Sequence, residues 1–155
     1  MGTSVKKPIN AFAILRIALG LLFIVSGGEK LISPYQNFLY VLQGYQLFPG
    51  WIEHIVARSF PWVELLTGIF LVLGLWGEIA LNSAGAMLGV FITVVGQAIL
   101  RKLPLDHCGC FGNLISLPLK TVFLMDTCLF FLVLVLAVNI VKTMSFSLDD
   151  YFARQ

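Results

Sequence analysis

Four apolar runs set the limits on what this chain can fold into. They occupy residues 11–32, 60–77, 79–100 and 117–141. Each reaches the roughly 17–25 residues that a helix needs to cross a hydrocarbon core of about 30 Å. A single such run can be a buried helix of a soluble domain. Four of them in 155 residues leave too little polar surface to cover them, since 59% of the residues are hydrophobic and 12% charged, against about 25% charged in an ordinary soluble domain. The expected fold is therefore an all-α integral membrane four-helix bundle, with residues 1–155 as one transmembrane domain. The first run is too long for a cleaved signal peptide and lacks a small-residue cleavage site, so it is expected to be retained.

The expected partner is the lipid bilayer. A net charge of +2, with basic neighbours only at Lys6-Lys7 and Arg101-Lys102, excludes a nucleic-acid partner. Residues 34–59 are too polar to span. Their aromatic residues, among them Tyr35, Tyr40 and Trp51, suit a headgroup-level layer with a short interfacial helix near 35–43. Only Trp76-Gly77-Glu78 separate the second and third runs, which predicts a tight antiparallel hairpin there. The last connection carries Arg101, Lys102, Pro104, Asp106 and then Cys108-Gly109-Cys110.

Four crossings put both termini on one side and the cysteine loop, with residues 34–59, on the other. Basic residues do not decide the orientation. Lys6, Lys7, Lys142 and Arg154 flank the terminal side, and Lys30, Arg58, Arg101, Lys102 and Lys120 the loop side. The cysteines break the tie. Two cysteines one residue apart close only a small, strained disulfide ring, and strained exposed disulfides are the readily exchanged ones. Gly109 gives the backbone the freedom such a ring needs. His107 favours the thiolate of Cys108, and Asp106 opposes that effect. Disulfide chemistry belongs in an oxidising compartment, which places this loop outside the cytoplasm. Three other readings stand beside it. The cysteines can be small apolar residues at a membrane surface, an inert structural clip, or metal ligands with His107 and His54, although zinc prefers Cys-x2-Cys spacing and four ligands. Cys128 lies well inside the fourth run and reads as packing.

Charged side chains inside spanning helices are costly and often functional. With each run's midpoint at the bilayer centre, a rise of 1.5 Å per residue puts Lys30 about 13 Å, Gln97 about 11 Å, Glu64 about 8 Å and Asp126 about 5 Å towards the loop side. These four residues on four helices are expected to form a polar pocket beneath Cys108 and Cys110. In the plainer alternative, Lys30 snorkels to the interface and Glu64 sits near a helix start. Arg16 falls on the opposite side of centre, where it is expected to snorkel inward or meet Asn82 or Asn139. Gly85 and Gly89 form a small-xxx-small pair for close helix packing.

A family likeness emerges from these residues in order: Arg16, Gly20-Leu21-Leu22-Phe23, Ser26-Gly27 and Lys30-Leu31, then Pro61-Trp62-Val63-Glu64-Leu65-Leu66 and Gly68, then Cys108-Gly109-Cys110-Phe111-Gly112. The sequence resembles the methylamine utilisation protein E (MauE) family, within the wider DoxX-like group of four-helix membrane proteins. One departure is visible. Such proteins often carry an arginine before the fourth-helix aspartate, where this chain has Met125, and Lys120 is the basic residue that could replace it electrostatically. The resemblance implies a bacterial inner-membrane protein with a periplasm-facing Cys-x-Cys, and the even number of crossings then makes both termini cytoplasmic. It also implies assistance to the maturation of a disulfide-rich periplasmic enzyme beside a thioredoxin-like partner.

The leading functional expectation is a thiol–disulfide redox protein. Cys108, Cys110 and His107 would carry the exchange with a thioredoxin-like or substrate protein. A quinone is the electron carrier considered, with Lys30, Glu64, Gln97 and Asp126 to hold its carbonyls or relay protons. The alternatives are a non-enzymatic subunit or assembly factor of a larger membrane complex, and a metal-handling protein.

Overall fold

The structure, a computed structural model, describes residues 11–46, 49–102 and 118–143. The chain builds α1 (Ala11–Ile32), α2 (Tyr35–Tyr45), α3 (Gly50–Leu73), α4 (Gly77–Leu100), α5 (Leu119–Val138) and the single turn α6 (Ile140–Thr143). Of these, α1, α3, α4 and α5 are long and apolar enough to cross a membrane. The protein is an all-α, multi-pass membrane bundle. Tyr40, Trp51 and Trp76 stay exposed, as suits aromatic side chains at headgroup level.

Prolines mark three of the starts. Pro34, Pro49 and Pro118 sit immediately before α2, α3 and α5, where the missing N–H removes no helical hydrogen bond. α3 starts at Gly50, well before the apolar run expected to begin at Phe60, so Glu53, His54 and Arg58 are helical. Hydropathy marks where a helix enters hydrocarbon, while the backbone hydrogen bonds continue into the polar layer. The hairpin also lies earlier than expected. α3 closes on Gly74 in the left-handed region (φ 68°), and Leu75 N donates to Phe70 O at 3.1 Å. Gly77 and Glu78 already belong to α4, with Glu78 in its first turn, where the helix dipole favours an acid. At the other end, α5 stops at Val138 because Asn139 leaves helical geometry. Its side-chain Nδ2 donates to Val135 O at 3.0 Å, a local bond that competes with the helix. The buried Thr143 hydroxyl then turns back onto Leu136 O (2.9 Å) and Asn139 O (3.0 Å).

The core gathers Leu19 and Phe23 of α1, Leu71 of α3, Leu81 and Leu88 of α4 and Leu136 of α5. Its tightest seam lies between α1 and α3. A Cβ on Gly20 would stand 2.8 Å from Gly68 O, and one on Gly68 would stand 2.7 Å from Gly20 O and 2.8 Å from Ile24 N. One on Gly27 would meet Leu65 N at 2.8 Å. The two backbones therefore touch, as small residues permit in membranes. The Gly85/Gly89 pair does not do this. Cβ atoms there would meet only Val133 Cγ1 at 3.4 Å and Phe130 Cε2 at 3.8 Å, so α4 and α5 meet through side chains.

Candidate functional site

The buried faces of three spanning helices carry the site. On α1 the buried stripe runs Ala13, Arg16, Leu19, Phe23, Ser26 and Lys30. On α3 it includes Glu53, Ala57, Pro61, Glu64, Gly68 and Leu71. On α5 it includes Val122, Asp126, Val133 and Leu136. Steps of three and four keep these positions on one helical face, so Lys30, Glu64 and Asp126 all point into the bundle.

Lys30 Nζ donates to Glu64 Oε2 at 2.8 Å and to Ser26 Oγ at 2.8 Å. The lysine side chain is 0% exposed, so it faces the bundle interior and does not take the plainer alternative of snorkelling to the interface. Its ammonium also lies 5.7 Å from the ring centroid of Phe38 on α2 and 5.8 Å from that of Phe91 on α4, within reach of a cation–π attraction. α2 thus covers an ion pair between α1 and α3. Asp126 is 4% exposed, and its Oδ2 has no hydrogen-bond partner among the described residues. The charges acting on it are those of Lys30 and Glu64. A small pocket of about 20 Å³ lies between the acids, walled by Ser26, Glu64, Leu88, Phe91, Met125 and Asp126.

The structure therefore brings together three of the four residues expected at membrane depth. Gln97 is half-buried and turns to Arg101, and with its amide assigned so that the oxygen faces the guanidinium, that oxygen accepts from Nη1 and Nε at 3.2 Å each. Arg16 is fully buried and does not snorkel. Cys128, expected to pack inside, is exposed on α5. Lys120 is exposed as well. The His54 ring meets the Tyr35 hydroxyl, tying α2 to α3. His107, Cys108 and Cys110 lie outside the described residues. Sequence reasoning missed Ser26, although it stands one turn before Lys30 on the same stripe. Phe38 and Phe91 carried no signal in a chain with 13 phenylalanines.

The pocket between the acids exceeds the roughly 10–15 Å³ that a water molecule needs and is far below the roughly 150 Å³ of a cavity that holds a benzene ring. A quinone ring does not fit it. A groove of about 350 Å³ also reaches Lys30, bounded by Tyr35, Arg58, Pro61 and Trp62, and that space admits a ring.

The family model of methylamine utilisation protein MauE matches residues 9–139 of the chain. Among curated proteins, methylamine utilization protein MauE of Methylorubrum extorquens is 29% identical over 105 residues, covering 68% of this chain. The aligned stretch spans about half of that relative, 53% of its length. No solved structure is significantly similar to the chain.

Proposed function

The chain belongs to the MauE family, and from that premise we propose that it is an inner-membrane thiol–disulfide redox protein whose Cys108-Gly109-Cys110 faces the periplasm. The observation that carries the reading is the position of the cysteine pair in the chain. The connection that holds it leaves α4 and enters α5 at Pro118, and Asp126 follows about two helical turns, roughly 11 Å, further on. In sequence, the cysteine pair therefore belongs to the connection between the two helix ends nearest Gln97 and Asp126.

The exchange is a two-step displacement. One cysteine thiolate attacks a disulfide sulfur of a thioredoxin-like or substrate protein and forms a mixed disulfide. The second thiolate displaces it, so Cys108 and Cys110 end oxidised and the partner carries two thiols. The reverse sequence oxidises the partner. His107 favours the attacking thiolate. A bilayer quinone, the carrier class considered for the electrons, would supply two-electron redox chemistry when bound, and Tyr35 and Arg58 are the polar groove residues that would hold it. The role in the relative's name, methylamine utilisation, extends here only to assistance given to a protein partner.

The test is mixed-disulfide trapping. Of Cys108→Ser and Cys110→Ser, one should accumulate a reductant-sensitive adduct with a periplasmic protein on a non-reducing gel, and the double variant should not. Membrane-impermeant maleimide on reduced spheroplasts should label the pair and leave Cys128 untouched. If neither single variant traps a partner and both keep full activity in the cell, the redox reading fails and the assembly-factor reading replaces it.

A further inference from the structure

The Lys30, Glu64 and Asp126 cluster has a charge imbalance that thiol chemistry does not explain. Lys30 supplies one positive charge, and Glu64 and Asp126 supply two negative charges when ionised. Against them α4 packs Leu88 and Phe91, α2 packs Phe38, and α1 adds Ser26. None of these side chains titrates. The fully ionised cluster therefore carries a net charge of −1 at membrane depth, an arrangement that hydrocarbon strongly disfavours. Glu64 is engaged by Lys30 at 2.8 Å. Among the described residues no hydrogen-bond partner meets the buried Oδ2 of Asp126, and Asp126 forms part of the wall of the 20 Å³ pocket that Glu64 and Ser26 also line. A buried water needs a polar site with two to four partners and about this much room. The pocket offers both.

We propose that this pocket binds one water molecule and one exchangeable proton, shared between Asp126 and Glu64. The proton brings the cluster to neutrality. An Asp126 hydroxyl donates to the water, and the water donates to the Glu64 carboxylate, which keeps its bond from Lys30. This satisfies the orphaned oxygen and leaves the ion pair intact. The proposal needs no cysteine and no redox partner, so it stands or falls apart from the thiol reading.

Infrared spectroscopy of the whole protein in lipid nanodiscs tests it. The wild type should show the carbonyl band of a protonated carboxyl that shifts in D2O. Asp126→Asn should abolish the band, while Asp149→Asn should keep it. Glu64→Gln should abolish it too, because Lys30 and Asp126 then balance without a proton. A purely structural acid would keep its band in that variant. Brief radiolysis tests the water, since bound water oxidises its neighbours. Met125 should be oxidised in the wild type and protected in Asp126→Leu. A wild type without the band, a band that survives Asp126→Asn or Glu64→Gln, or an unoxidised Met125 overturns the proposal.

Discussion

Between α1 and α3 the backbones touch at Gly20 and Gly68, and the same seam closes over the Lys30–Glu64 pair. Between α4 and α5 the contact is made by Val133 against Gly85 and Phe130 against Gly89, and the acid that α5 supplies has an oxygen with no hydrogen-bond partner among the described residues. Lipid tails are as apolar as leucine, so helices in a membrane are held by close packing and by polar bonds. The α1–α3 pair has both devices. Among the described residues the α4–α5 pair shows side-chain packing alone, and side chains can re-seat where touching backbones cannot. The connection that carries the cysteines hangs from this more compliant pair.

Breaking the fixed seam from one side should have the largest effect. Glu64→Leu takes the hydrogen-bonded counter-ion from the buried Lys30 ammonium and leaves only the charge of Asp126 to balance it, with an expected loss of up to about 3–5 kcal/mol, read as a lowered melting temperature in detergent. The double variant Lys30→Met/Glu64→Leu should recover most of that loss. If the single variant were no less stable than the double, the pair would not be what holds α1 to α3. Next in size is Gly68→Ala. Its Cβ would fall 2.7 Å from a carbonyl oxygen that cannot swing away, and overpacking of this kind costs about 1–3 kcal/mol.

On the compliant side the same measurements should return little. Asp126→Leu removes an acid with no direct protein bond to its Oδ2 among the described residues, puts an apolar group of similar shape in its place and leaves the Lys30–Glu64 pair neutral, so stability should change by less than about 1 kcal/mol. A loss approaching that of Glu64→Leu would mean that Asp126 is a structural tie. Smallest of all is Gly85→Ala. The new methyl would meet Val133 at 3.4 Å, a flexible side chain, and the helix propensity gained is up to about 1 kcal/mol. The net effect should be neutral or slightly stabilising, and destabilisation equal to that of Gly68→Ala would erase the contrast between the two seams.

The spanning helices were legible because apolar length is written directly in the sequence. Their ends were less so. The first turns of α3 carry Glu53, His54 and Arg58, and composition cannot distinguish a helix standing in the headgroup layer from a loop. Asn139 ended α5 through a bond to Val135 O that no hydropathy profile contains. The glycines show a second gap. Gly85 and Gly89 have the recognisable spacing, yet the close approach uses Gly20, Gly27 and Gly68, because a motif gives a smooth face and not the face presented to it. Depth along the axis grouped Lys30, Glu64, Gln97 and Asp126. Rotation about the axis was missing, and it turns Gln97 to Arg101 while the other three converge.

The ion pair joins residues 34 positions apart, which bears on how the chain enters its membrane. At a synthesis rate of about 5–20 residues per second, Lys30 waits roughly 2–7 s before Glu64 is made. An ammonium without a counter-ion stays with the headgroups, its long stem reaching towards water. The last turns of α1 are therefore held shallow until α3 arrives with both the carboxylate and the glycine that α1 rests on. Translation of the third helix then completes the insertion of the first, and a nascent chain halted after α2 would keep Lys30 within reach of water-borne amine reagents from which the finished protein shields it.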